Sequence, residues 1–203
     1  MNVEIRGLNK RDIGKAITFA IKGMHFERYT DIPWELKVYG RYFLYMELER
    51  ASQILAAYMG NRLVGLLMAD IKFEPKICQS CYRKLFVKLI DTIMRVAYTN
   101  GPDSYDEANA EMYLHYREKA EPDGEICFLA TDPDIQGKGV GSLLLSELEK
   151  REKGKELFLY TDSNCTYQFY ERRGFRRAIE RKIEIKLHGT ITPLTCFLYS
   201  KMV

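Results

Sequence analysis

A chain of 203 residues is long enough for one domain of ordinary size, or for one domain with an insertion, and can bury a real core. Its composition, 46% hydrophobic and 29% charged, excludes a disordered chain. A net charge of +3, with no basic stretch interleaved with aromatics, gives no ground for nucleic-acid binding.

No apolar run approaches bilayer length, and Met1-Asn2-Val3-Glu4-Ile5-Arg6 lacks the apolar region of a signal peptide. The expectation is a cytoplasmic protein with no membrane partner. Cysteines at 78, 81, 127, 165 and 196 form an odd set without disulfide-like spacing. Cys78-x-x-Cys81 has no second pair, and His25, His115 and His188 are not at ligand spacing. Free thiols in a reducing compartment, and no metal, are expected.

The chain opens with Val3-Glu4-Ile5-Arg6, a short alternating strand. Asp12 is placed to cap a helix whose apolar positions, Ile13, Ala16, Ile17, Ala20, Ile21 and Met24, follow helical spacing. Tyr29-Thr30-Asp31-Ile32-Pro33 breaks that helix, and a second runs from about Trp34 to Ala51 with Tyr39, Tyr42, Phe43 and Met46 on related turns. Gln53–Met59 and Leu63–Lys72 read as a strand pair turning through Gly60-Asn61-Arg62.

Residues 74–122 come next. Tyr82, Leu85, Phe86, Leu89, Ile90, Ile93 and Ala97 predict an amphipathic helix, and Asn100-Gly101-Pro102-Asp103 a break. A weaker helix from about Ser104 to Lys119 has Ala108, Met112 and Tyr116 on one face. Such a pair covers a cleft, docks on the sheet edge, makes an oligomer contact such as a homodimer, or simply packs. The sequence leaves all four open.

Residues 125–175 carry the functional signal. Glu125-Ile126-Cys127-Phe128-Leu129-Ala130-Thr131 suits a buried strand, and Pro133, which has no N–H, ends it. Gln136-Gly137-Lys138-Gly139-Val140-Gly141 then runs into the apolar-periodic Ser142–Leu148, and Gly154 ends that helix. Strand, glycine loop and helix N-terminus together make an anion site, because free amides and the positive dipole end converge. A Walker loop is excluded, since Lys138 is followed by Gly139, and so is G-x-G-x-x-G, since the glycines fall at 137, 139 and 141. Glu156–Tyr160 is the next strand, Asp162-Ser163-Asn164 starts a short helix ending at Gly174, and Arg181–Leu187 with Leu194–Lys201 form a closing antiparallel pair.

The Gln-x-x-Gly-x-Gly read from Gln136 resembles the acetyl-CoA loop of the GNAT superfamily of N-acetyltransferases. Asn164-Cys165-Thr166-Tyr167-Gln168-Phe169-Tyr170-Glu171-Arg172-Arg173-Gly174-Phe175 is similar to that family's Asn…Phe-Tyr-Glu-x-x-Gly-Phe signature. The resemblance implies an α+β fold with a mixed, mostly antiparallel central sheet flanked by helices. It makes residues 1–203 a single domain, with a helical insertion at about 74–122 before the cofactor-binding strand.

Its further implications are functional. Acetyl-CoA is the cosubstrate and a primary amine the acceptor, in direct attack within a ternary complex. Leu129, Ala130 and Thr131 offer backbone groups to the pantetheine. Gln136, Gly137, Lys138, Gly139, Val140, Gly141 and Ser142 hold the pyrophosphate, and Asn164 contacts the cofactor arm, although an N-cap role suits Asn164 nearly as well. Tyr29, Asp31, Trp34 and Glu35 line the acceptor pocket. An ammonium with pKa near ~10.4 and a thiol near ~8.5 both call for placed proton-transfer groups. Glu125 is the implied base, directly or through a water, with Asp123 as substitute, and Tyr170 the implied acid. A small-molecule amine is favoured as acceptor over a protein N-terminus. A non-catalytic acyl-CoA-binding or sensing domain is the rival class, needing the loop but neither Glu125 nor Tyr170.

Overall fold

Aliphatic runs bounded by turns become strands, and apolar residues at helical spacing become helices laid on both faces of the resulting sheet. The computed structural model describes residues 2–28, 30–97, 104–135, 137–187 and 190–203. In chain order these form β1 (Glu4–Arg6), α1 (Ile13–Gly23), α2 (Pro33–Arg50), β2 (Gln53–Met59), β3 (Arg62–Ile71), α3 (Cys81–Ala97) and α4 (Ser104–Arg117). There follow β4 (Gly124–Thr131), α5 (Val140–Arg151), β5 (Glu156–Asp162), α6 (Gln168–Glu171), β6 (Arg176–Leu187) and β7 (Thr190–Met202). The seven strands make one sheet in the order β1-β2-β3-β4-β5-β7-β6.

Neighbouring strands run antiparallel except β4 and β5, which are parallel and meet through only two residue pairs, Gly124↔Leu157 and Glu125↔Phe158. β3 holds β4 along its whole length and β7 holds β5 along its own, so beyond Glu125 the two strands diverge. At Cys127 the pairing with β3 skips a residue. This bulge resets the side-chain alternation of β4. Phe128 and Ala130 therefore pack under α1 and α2 with Phe19, Leu44, Leu48 and Met68, while Ile126 and Leu129 join the α5 side. There Val140, Leu144 and Leu148 are buried among Leu67, Leu157 and Tyr199. Each fully buried aliphatic side chain contributes about 1.5–3 kcal/mol, against ~0–1 for an exposed ion pair. The two apolar layers thus dominate the fold.

Of the paired helices in residues 74–122, α4 docks on the sheet. Ala108, Met112 and Tyr116 are buried against Phe158, Cys196 and Leu198. α3 packs on α2, with Phe86 edge-on to Tyr45 at 5.5 Å, and leaves Tyr82, Leu85, Leu89 and Ile93 exposed. The expected break at 100–103 lies outside the described residues.

Local signals needed three corrections. Asp12 makes no capping bond to α1. A 3-10 turn precedes the helix, Asn9 Oδ1 accepts from the Arg11 N–H, and the Asp12 carboxylate accepts from Tyr58 Oη at 2.8 Å. α5 begins at Val140 rather than Ser142, because the turn closes at Gly139. The helix expected from Asp162 shrinks to Gln168–Glu171. Asp162 Oδ1 accepts from the Asn164 N–H at 2.7 Å and turns the chain there, so Asn164 is not an N-cap.

One charged cluster ties α2 to β4 where the strands begin to part. Arg50 donates from Nε to Glu47 at 2.7 Å and from its two terminal nitrogens to both oxygens of Glu125 at 2.8 and 2.9 Å. Glu47 is 2% exposed, and burial lifts its carboxyl to about 7 against the opposing Arg50 charge. The folded chain therefore keeps this proton where the unfolded chain has released it. The associated stability is full at low pH and is lost as pH climbs from about 4.5 to about 7, a change on the order of 3 kcal/mol. Glu47→Gln should remove this slope. Urea unfolding at pH 5 and pH 8 should differ less for the variant than for wild type, and an unchanged difference would contradict the assignment.

Candidate active site

The divergence of β4 and β5 opens a cleft of about 770 Å³ between the inner edges of the two strands. Its walls are the outer half of β4, the loop into α5, the Tyr160–Thr161 end of β5, the residues around α6, and the turn after α1.

The loop end is built from backbone. Asp132, buried at 1% side-chain exposure, accepts from Arg62 at 2.8 Å, Lys15 at 3.1 Å and the Asp134 N–H at 3.2 Å. Burial alone would raise this carboxyl; the hydrogen bonds from Arg62 and Lys15 outweigh it and hold the group below the usual aspartate range. The loop is thereby fixed to β3 and α1 as it leaves β4. Gly137 and Gly139 take φ of +84° and +80°, a region closed to most side chains, which lets the chain reverse twice before α5. The Leu143 N–H bonds Gly139 O, and the amides of Val140, Gly141 and Ser142 belong to the first turn and have no intrahelical acceptor. They lie on the cleft wall with the positive end of the helix dipole. Lys138, Arg172 and Arg173 add cationic charge around them. Arg173 stacks 4.0 Å over the Phe169 ring and donates to Ser142 Oγ. An anion with several oxygens fits this end.

On the α6 side of the cleft, Tyr170 stands between Phe169, whose ring lies close to Gly141, and Phe175, with ring centroids 5.2 and 5.9 Å away. Burial pushes its phenol well above the usual tyrosine range, and the nearby Cys165 adds to the shift, so the group keeps its proton at neutral pH. Cys127 and Cys165 also face the cleft, and burial holds both thiols protonated, Cys165 at about 12.

Of the residues expected at the site, Leu129, Ala130, Thr131, Gly137, Lys138, Gly139, Val140, Gly141, Ser142 and Tyr170 come together on the cleft wall. Gln136 and Tyr29 lie outside the described residues. Glu125 is not on the wall: it sits at the closed end of the divergence, with both carboxylate oxygens on Arg50. Asn164 lines a small adjoining recess rather than the cleft itself. Asp31, Trp34 and Glu35 are away from both. Trp34 is 65% exposed, and Glu35 accepts from Thr30 Oγ1.

Sequence reasoning missed His25, Lys22, Tyr105, Tyr160, Cys127, Arg172 and Arg173, all on the wall. The two arginines occupy the variable positions of the Phe-Tyr-Glu-x-x-Gly-Phe pattern. The others carried no signal beyond their side-chain chemistry. No group of three His, Cys, Asp or Glu side chains converges as a metal site among the described residues.

Comparison with known proteins places this geometry. Residues 96–177, from the end of α3 through α4 and the loop to the start of β6, match the family described as acetyltransferase (GNAT) domain. Over 79 residues the chain is 38% identical to a mycothiol acetyltransferase of Propionibacterium freudenreichii subsp. shermanii. That match takes in 34% of this chain and only 25% of the relative's length. Among solved structures, the Corynebacterium glutamicum protein described as histone acetyltransferase HPA2 and related acetyltransferase superposes with a TM-score of 0.58 at 16% identity, over 98% of this chain and 96% of its own. The PaiA N-acetyltransferase of Thermoplasma acidophilum, solved in complex with coenzyme A, superposes with a TM-score of 0.56 at 18% identity over 100% of both chains. At such identities the superpositions speak for the fold alone. Residues 96–177, which include the loop and most of the cleft wall, thus match an acetyltransferase (GNAT) domain, and the whole chain shares the fold of these solved structures.

Proposed function

We propose that the protein is an acetyl-CoA-dependent N-acetyltransferase that passes the acetyl group directly to a primary amine, with a small-molecule amine as the favoured acceptor. One observation carries the reading: a backbone anion site and a protonated phenol, Tyr170, border the same cleft between two unpaired strand edges.

The residues present fit acetyl-CoA. The Val140, Gly141 and Ser142 amides, with Lys138, Arg172 and Arg173, suit its diphosphate. The free inner edge of β4 at Leu129, Ala130 and Thr131 suits an extended arm carrying amide groups, as an added strand would. Tyr170 then supplies a proton to the departing thiolate. Both cleft thiols are held protonated, which makes them poor nucleophiles, so direct transfer is favoured over an acetyl-cysteine relay. Glu125 stands first in line as base by resemblance, yet Arg50 occupies both its oxygens. In this reading Glu125 and Arg50 fix the floor of the cleft, and an acceptor for the amine proton is wanted on the wall itself.

Two experiments test the proposal. Gly139→Asp places a carboxylate and a strained side chain against the diphosphate site. Acetyl-CoA affinity by calorimetry should fall about 10–100-fold with the circular dichroism spectrum unchanged, and an unaltered affinity would remove the loop from the site. Tyr170→Phe should lower kcat by ~10²-fold or more, measured as thiol release with a panel of primary amines, while leaving acetyl-CoA binding intact. Wild-type protein that binds acetyl-CoA but transfers to no amine would favour a sensing domain.

A further inference from the structure

We infer that His25 is the base that takes the proton from the acceptor amine, an assignment that rests on the acetyl-transfer reading above. His25 lies in the turn after α1, and the helix end with this turn, Lys22, Gly23, Met24, His25 and Glu27, forms one wall of the cleft. Its φ of +54° lies in the left-handed region, where a non-glycine side chain is strained; among the described residues only Phe73 shares this. Strain of this kind persists where the surroundings hold a residue in place and clusters at functional sites.

Position makes the argument specific. His25 lines both the main cleft and the small recess beside it, and so does Cys165. Cys165 is in turn close enough to Tyr170 to oppose ionisation of its phenol. The imidazole and the phenol thus line one cleft from different elements, the α1 turn and the α6 segment.

Elimination supports the choice. Lys22, Lys138, Arg172 and Arg173 on the wall are cations and accept nothing. Burial holds the Tyr160 and Tyr170 phenols and the Cys127 and Cys165 thiols protonated. Glu27 is paired with Lys22 at 2.9 Å, and the Tyr105 hydroxyl is directed at Asp162. Among the described wall residues, His25 is the one left with an imidazole lone pair to take an amine proton. The groups around it are Lys22, Glu27 and Arg28 of its own segment, Asp162 at the end of β5, Asn164 and Cys165 of the β5–α6 connection, and the apolar Ile185 and Leu194 of β6 and β7.

The step balances. The neutral amine nitrogen forms a bond to the thioester carbonyl carbon and gives one N–H proton to the imidazole. The carbon–sulfur bond breaks, and the electron pair leaves with sulfur. The sulfur takes the Tyr170 hydroxyl proton, and the imidazolium returns its proton through solvent to the tyrosinate. Amine and acetyl thioester become amide and thiol with both residues restored.

The test compares kcat–pH profiles of wild type, His25→Asn and Glu125→Gln, using acetyl-CoA and a panel of alkyl and arylalkyl primary amines. Asparagine tolerates the left-handed conformation, so His25→Asn keeps the turn while removing the base. His25→Gln serves if the first variant fails to fold. The expected result is a loss of ~10²–10⁴-fold in kcat near neutral pH that shrinks at high pH, where solvent hydroxide takes the amine proton in place of the imidazole, with unchanged KM for acetyl-CoA. Wild-type kcat in His25→Asn, or a loss that high pH does not relieve, overturns the base assignment while the transferase reading stands. A recoverable loss confined to Glu125→Gln returns the role to Glu125 and overturns it as well. A wild type that transfers to no amine overturns the transferase reading and His25 with it.

Discussion

Everything that distinguishes this sheet follows from the parting of two parallel strands after two residue pairs. A strand edge left unpaired inside a protein exposes N–H and C=O groups that need partners. Here both edges face one cleft, and each strand is secured from its far side, β4 by β3 and β5 by β7. The separation is therefore a stable feature of the sheet. Closing it would require β4 or β5 to abandon a full ladder for a partial one.

The means of holding the strands apart differ at the two ends. At the closed end, Arg50 bridges Glu47 of α2 and Glu125 of β4, a charged tie that pins the helix layer at the last paired residue. Removing one member of such a cluster leaves a half-buried charge without its partner, which costs more than the intact cluster gains. At the open end, Asp132 gathers Lys15, Arg62 and the Asp134 amide, fixing the loop to α1 and β3. Between them the bulge at Cys127 turns Phe128 and Ala130 toward α1 and α2 and leaves Leu129 on the α5 side.

How much of this could be read from the chain depends on whether the constraint is local. The glycine loop was legible, because reversing the chain onto a helix N-terminus needs left-handed residues at fixed spacing, and Gly137 and Gly139 supply them. Strands β2 to β5 and helix α2 were legible from periodicity, to within one or two residues at each end. The Arg50–Glu125 contact joins residues distant in sequence, and no spacing rule predicts it; Glu125 therefore read as a free carboxylate. The helix expected from Asp162-Ser163-Asn164 to Gly174 was overestimated because Asn164 resembles a cap, while the turn is made by Asp162. Trp34 was assigned to the acceptor pocket by resemblance, and its 65% exposure away from the cleft shows how little such an assignment says about direction. His25 was weighed only as a metal ligand and set aside, because a single histidine in an irregular turn carries no pattern. Its placement follows from the path of the backbone between α1 and α2.

These differences divide the cleft into two kinds of surface. At the α5 end the anion-binding groups are mostly backbone amides, set by the glycine turn and the helix start and insensitive to most side-chain changes. On the rest of the wall the groups that could meet an acceptor are side chains from three separate segments: the α1 turn, Tyr105 of α4, and the residues from Tyr160 to Tyr170. No single element dictates their arrangement, so each can change without disturbing the sheet. α4 shows how such variation is anchored. Ala108, Met112 and Tyr116 bury one face of the helix against β5, β6 and β7, and Tyr105 at its start is thereby delivered to the cleft. The packing that secures the helix and the side chain it presents at the cleft are separate properties of the same short segment.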